Sequence, residues 1–221
     1  MNSELPSKLI LGIETATINC SVGLVRNGAI LGQKNLTDRA VHSEKLIELI
    51  DRLLNPNIAF SMIGAIAISI GPGSYTGLRI GLATAKGLAF AGHLPLLPVP
   101  TLTVLESVAR RETAASAVLF IKSHRDLIYY TVAEKDQPLD LRRPVQHDRI
   151  ETVANSFPDH RLIGDDDFDG KFGERLMIRY PAGDLTALIA ARHYAELLPL
   201  SRPDLQPDYH SNLEAKTWPT V

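Results

Sequence analysis

Ile63-Gly64-Ala65-Ile66-Ala67-Ile68-Ser69-Ile70 runs straight into Gly71-Pro72-Gly73-Ser74-Tyr75-Thr76-Gly77-Leu78-Arg79-Ile80-Gly81. A short apolar run rich in β-branched residues and ended by Gly-Pro-Gly predicts a central strand buried on both faces. Gly71 and Gly73 flank the fixed φ of Pro72, so the chain turns sharply there, and Ser74 or Thr76 caps the helix that follows. That helix, Gly77 to Ala91, contains Gly77, Gly81 and Gly87. Each interior glycine costs ~1 kcal/mol relative to alanine, so something must offset the cost. Gly77, Gly81 and Ala85 recur every fourth residue and form one smooth ridge along which another backbone could approach. Arg79 and Lys86 are its only charges, and a helix apolar nearly all round is buried on two sides.

Outward from this stretch, Leu9 to Glu14, Cys20 to Val25 and Ala29 to Leu36 read as an antiparallel meander, with Arg26-Asn27-Gly28 a type I′ hairpin signal. Ser43 to Leu54 carries Leu46, Ile47, Leu49, Ile50, Leu53 and Leu54 at helical spacing, ended by Asn55-Pro56-Asn57. His93 to Pro100 reads as a proline-bounded edge strand and Thr101 to Arg111 as a helix capped by Thr101. A lobe boundary near residue 112 divides the chain into an N-terminal lobe, 1–112, and a smaller C-terminal lobe, 113–221. The second holds strands at Ala117 to Ile121 and Leu127 to Ala133. Helices follow near Asp148 to Asn155 and from Asp184, as cap, to Leu197, and the tail from Pro199 wraps the surface.

The chain has 221 residues, 45% of them hydrophobic, and a net charge of −2. It has no global basic field, so a nucleic-acid role would need a partner. One cysteine, Cys20, and a short polar N-terminus before a brief apolar run predict a cytoplasmic protein without a membrane segment.

The glycine turn misses the phosphate cradles it suggests. Gly71, Gly73 and Gly77 are one residue longer than the dinucleotide spacing, Lys86-Gly87 reverses the Walker order, and the serine-elbow spacing is absent. The turn Glu14-Thr15-Ala16-Thr17 offers an acid followed by hydroxyls. It reads either as a vestigial phosphate-facing turn (Glu14, Thr15, Thr17) or as a plain polar turn. His42 lacks a second histidine four residues on, where Leu46 stands, so no metal is assigned. Asp165-Asp166-Asp167-Phe168-Asp169-Gly170 begins like a calcium loop, but Leu176 occupies the twelfth position, so it is a solvated acidic loop.

Leu11 to Thr17, the His42-Ser43 helix start, Gly71 to Gly81 and Leu94-Pro95 to Thr101-Leu102 resemble the TsaB (YeaZ) family. The resemblance is dense over about the first hundred residues and thin beyond them. It implies an α/β actin-like (ASKHA, ribonuclease H-like) two-lobed fold, each lobe a mixed sheet flanked by helices. It also implies a non-catalytic subunit that binds and activates a TsaD-type enzyme in the biosynthesis of N6-threonylcarbamoyladenosine at position 37 of tRNA. Partners so implied are the TsaD-type subunit, a TsaE-type ATPase, a second copy when alone, and tRNA only through the complex. ATP or magnesium binding by this chain is not expected. By the same analogy the partner interface comprises Leu46, Leu49, Leu53, Gly77, Leu78, Gly81, Leu82 and Ala85.

In the second lobe, Lys122 and Leu127 stand where relatives carry acids, and Pro207-Asp208-Tyr209-His210 departs from the usual ending. Three adjacent carboxylates at 165–167 oppose a triphosphate there. The competing readings are a self-sufficient ATP-dependent phosphotransferase using Glu14 and Thr15, and a glycoprotease-like peptidase, for which no zinc pair or nucleophile triad assembles.

Overall fold

The computed structural model describes residues 9–37, 42–54 and 58–210, with backbone only at 42–44. The apolar run forms a strand, β4 (Ile63–Ser69), flanked on both sides. The chain order is β1 (Leu9–Glu14), β2 (Asn19–Arg26), β3 (Ala29–Thr37), α1 (His42–Leu54), β4, α2 (Tyr75–Gly92), β5 (Leu96–Val99) and α3 (Thr101–Glu112). The sheet runs β3-β2-β1-β4-β5, antiparallel through the meander and parallel through β1, β4 and β5. Asn27 and Gly28 have φ of 49° and 75°, the left-handed pair that a type I′ hairpin demands.

The second sheet repeats this plan. Its strands are β6 (Ala117–His124), β7 (Leu127–Ala133), β8 (Gln146–Arg149), β9 (Arg161–Gly164) and β10 (Leu176–Ile178), in the order β10-β9-β6-β7-β8. Here too the first three strands are antiparallel neighbours and the last two add in parallel to the first. Helix α4 (Ile150–Ser156) covers one face through Ile150 and Val153 against Val118, Phe120 and Leu162. Helix α3 lies between the lobes: Val104 joins the first core, while Leu102, Leu105 and Ala109 pack on Leu119 and Ile121 of the second. A two-lobed actin-like α/β fold follows from this duplicated topology.

The ionic weld at the junction was not legible in outline. Glu106 is buried and accepts from Arg110 Nε at 2.9 Å and Arg143 Nη2 at 3.3 Å, tying α3 to the loop before β8.

Three sequence expectations are corrected. Thr101 is not a cap. Pro100 holds that position, and the Thr101 hydroxyl sits 2.7 Å from Ser69 Oγ and accepts from the Gly71 N–H at 3.0 Å. Asp184 is not a cap either: α5 (Gly183–Arg192) begins after Ala182, and a break at His193 separates it from α6 (Tyr194–Leu197). The third concerns the lobe boundary. The division at 112 separates the two sheets, but the range 113–221 is too long for the second lobe, because α5 returns to the first. Leu185, Ala187 and Leu188 share a core with Ile10, Val25 and Leu97, and a side chain at Gly12 or Gly23 would collide with the α5 backbone. The reason is solvation: nearly every residue of α5 is buried, and the first sheet's second face is the apolar surface that covers it. Leu205, further on, is also in the first lobe's core.

Candidate functional site

Ligands of open α/β sheets gather beyond the carboxyl ends of parallel strands, here the ends of β1 and β4. Glu14 ends β1, and the Gly71 turn follows β4. The two turns are stapled together. Ser74 N–H donates to the Ala16 carbonyl at 2.7 Å, and Thr15 Oγ1 donates to the Gly77 carbonyl at 2.8 Å. Ser74, the cap that the sequence suggested, accepts from Gly77 N–H at 3.2 Å. A side chain at Gly73 would overlap Ala16, and one at Gly77 the Thr15 carbonyl.

Glu14 lies beneath this staple with no exposed surface. One carboxylate oxygen accepts the Ala16 N–H at 2.7 Å, and the other, Oε2, has no hydrogen-bond partner among the described residues. Burial pushes the Glu14 carboxyl up to about 7, against the pull of the Ala16 N–H and Ser69. Burial and then the Glu14 charge push the neighbouring Cys20 thiol up to about 11. Thr15 and Thr17 are buried as well, and Thr17 Oγ1 accepts the Asn19 N–H at 3.2 Å. The whole Glu14-Thr15-Ala16-Thr17 turn, read from sequence as a vestigial phosphate-facing turn or a plain polar turn, is thus buried in this structure.

Two more segments seal the region. Thr101 N–H donates to Gly71 O at 2.8 Å, and Asp208 N–H donates to Ile70 O at 2.7 Å. Gly71 has φ of 127° and no room for a side chain beside the Asp208 carbonyl. Next to it, Tyr209 packs on Tyr75 with ring centroids 4.9 Å apart, and Arg79 Nε donates to Tyr209 Oη at 3.1 Å. The tail therefore crosses the mouth of the turn.

The interface residues expected from the glycine ridge are placed inward. Leu46, Leu49, Gly77, Leu78, Gly81, Leu82 and Ala85 are all buried in this chain, and Leu53 is half-buried against its core. Side chains at Gly77 and Gly81 would meet Thr15, and at Gly81 Ile68 as well. The ridge admits the chain's own β1–β2 turn, so the reading of it as a docking face is corrected. What α2 turns outward is a different stripe: Tyr75, Arg79, Ala83, Gly87 and Phe90, with Ile47 exposed on the adjacent α1. Phe90 is 84% exposed. A signal for this face was available, since Arg79 and Lys86 share it as the helix's only charges.

In the second lobe the acidic loop is satisfied internally. Asp165 Oδ1 accepts the Lys122 N–H at 2.7 Å, and Lys122 Nζ reaches Asp166 Oδ2 at 2.6 Å while lying over the Phe168 ring. Burial pushes the Asp165 carboxyl up to about 6. The loop is not simply solvated, because the Lys122 charge is paired with Asp166. Among the described residues no cluster of three metal-ligating side chains forms, and no helix is long and apolar enough to cross a membrane. The side chain of His42 lies outside the described residues.

Comparison with known proteins agrees with this architecture. The family model of TsaD, tRNA N6-adenosine threonylcarbamoyltransferase, matches residues 35–160, more than half of the chain. Proteins described as tRNA threonylcarbamoyladenosine biosynthesis protein TsaB are similar over 130 residues. That of Escherichia coli is 35% identical, covering 58% of this chain and 56% of its own, and that of Haemophilus influenzae is 31% identical, covering 58% and 55%. The matched stretch thus spans about half the length of these curated relatives. The solved structure of YeaZ from Pseudomonas aeruginosa superposes with a TM-score of 0.76 at 26% identity, covering 91% of this chain and 99% of that one. With the fold, the motifs and these matches in agreement, the chain belongs to the TsaD family and, within it, to the TsaB (YeaZ) group.

Proposed function

We propose that this chain is a non-catalytic subunit that binds and activates a TsaD-type enzyme in the biosynthesis of N6-threonylcarbamoyladenosine at tRNA adenosine 37. The observation that carries this reading is the closed staple over Glu14. The acid at the strand end is fully buried, and the glycine turn packs against the Thr15-Ala16 backbone. A phosphate approaching Glu14 would have to displace protein on every side, so ATP and magnesium chemistry belongs elsewhere in the assembly. The names of the relatives support the pathway.

For the partner surface we propose the outward stripe of α2 with Ile47 of α1, in place of the glycine ridge. Exposed aromatic and aliphatic side chains beside the small residues Ala83 and Gly87 let a partner helix approach closely. A TsaD-type subunit occupies this face in the complex and a second copy occupies it when the chain is alone. A TsaE-type ATPase joins the assembly, and tRNA contacts this chain only through it, in the cytoplasm.

Depletion of the protein followed by mass spectrometry of tRNA nucleosides tests the pathway: threonylcarbamoyladenosine should fall, and an unchanged level would overturn the assignment. Calorimetry of the isolated chain with Mg-ATP tests the division of labour. Tight binding would restore the phosphotransferase reading.

A further inference from the structure

Behind Phe90, where α2 ends and β5 begins, lies a cavity of about 300 Å³, which shares only Phe90 with the partner face proposed above. Its apolar lining includes Leu94 and Leu96, with Phe90 forming a wall. Lys86, Ser201 and Arg202 supply its polar and charged groups. Among the described residues no acidic one lines it. The volume is at the small end of those that take organic ligands, and an apolar lining with a few polar groups is the usual composition of such sites.

We infer that this cavity is a binding site for a small aromatic monocarboxylate. The aromatic body is matched by Phe90, a residue 84% exposed, which offers its ring to a second ring. The anion is matched by Lys86 and Arg202, and by the Ser201 hydroxyl. Ser201 Oγ already accepts the Leu96 N–H at 2.9 Å, which leaves its own hydrogen to donate. The charge balance selects a single negative charge. Arg202 Nε lies 3.6 Å from Asp204 Oδ1, so two cations offset by one carboxylate leave one net positive charge. A dianionic phosphate would exceed that net charge.

The site is distinct from the staple over Glu14 and, apart from Phe90, from the proposed partner face, and it binds ligand in the full-length chain at concentrations where the chain is monomeric. Titration with 3-phenylpropionate, followed by heteronuclear NMR, should give saturable shifts at the α2 end and at Ser201–Pro203, with low-millimolar affinity or tighter. Affinity should drop at least tenfold for the neutral isostere 3-phenylpropanamide, for acetate, and for the variants Lys86→Glu and Arg202→Glu. Phe90→Ala should weaken binding several-fold. Lys135→Glu, in the second lobe, should leave it unchanged. Circular dichroism checks that each variant is folded. Equal binding of the amide, indifference to charge reversal at 86 and 202, tighter binding of phenyl phosphate than of the carboxylate, or no saturable shifts would each overturn the assignment.

Discussion

Helix α2 carries small residues on two faces, and they do opposite things. On the inner face Gly77 and Gly81 lie where any side chain would strike Thr15, and Ala85 is fully buried. On the outer face Gly87 has nothing within 4 Å of where its Cβ would be. The helix propensity lost is the same at each glycine, about 1 kcal/mol. Inside, the loss is offset by a backbone approach that staples β1 to α2. Outside, nothing among the described residues offsets it. A glycine without a neighbour in its own chain thus points beyond the chain more clearly than a row of glycines does.

The largest effect expected from this contrast is at Gly81. Gly81→Arg would drive a charged side chain into the Thr15 hydroxyl and Ile68, combining overpacking with an unpaired buried charge. The protein should lose cooperative unfolding, or be destabilised by ~4 kcal/mol or more in urea melts. A folded variant of wild-type stability that only fails to bind a partner would reverse the assignment of inner and outer faces.

Next in size is Glu14, whose burial is the cost of the closed staple. Burial raises its carboxyl to about 7 in the folded chain from an ordinary value of 4.5. The folded state holds the proton more tightly than the unfolded state, so below about pH 4.5 both are protonated and nothing is lost. Stability then falls as pH rises through the window to about 7, by ~3 kcal/mol in all. Glu14→Gln keeps an acceptor for the Ala16 N–H and removes the charge. It should be more stable than wild type by ~2–3 kcal/mol at pH 8 and nearly equal to it at pH 4.5. Equal stability at both values would mean that solvent reaches Glu14, and the turn would again be open to a ligand. Asp165, also raised, is common to both proteins and cancels in the difference.

The first lobe was legible because its signals are local. The apolar β-branched run, the Asn27-Gly28 turn and the Gly-Pro-Gly stop each act within a few residues. The Ser74 cap was legible for the same reason. What sequence could not supply was pairing across the fold. Thr101 reads as a cap until Ser69 and the Gly71 N–H take its hydroxyl, and Asp184 reads as one until Gly23 is seen to receive the helix start. Lys122 read as a lost acid, and its ion-pair partner Asp166 lies 44 residues away. The glycine spacing correctly announced a close approach, but spacing does not say whether the visitor is Thr15 or another chain.

Phe90 tests the outer face with little risk to the fold. At 84% exposure its replacement should change stability by under about 0.5 kcal/mol. Phe90→Asp should nonetheless weaken association with a co-expressed TsaD-type subunit by ~2 kcal/mol, roughly thirtyfold, as an aromatic anchor at an interface centre does. Sedimentation or calorimetric titration would read this directly. Unchanged affinity would remove α2 from the interface.

The smallest effect separates the two faces most finely. Gly87→Ala adds one methyl to open space, so the isolated chain should gain up to ~1 kcal/mol from helix propensity and melt about 2–4 °C higher. If a partner helix approaches Gly87 as Thr15 approaches Gly77, the same methyl should weaken the complex. Greater stability alone together with lower affinity in complex is the pattern that only an external close approach produces. A gain in both would show that the outer glycine is merely tolerated, and that Phe90 and Ile47 meet the partner without it.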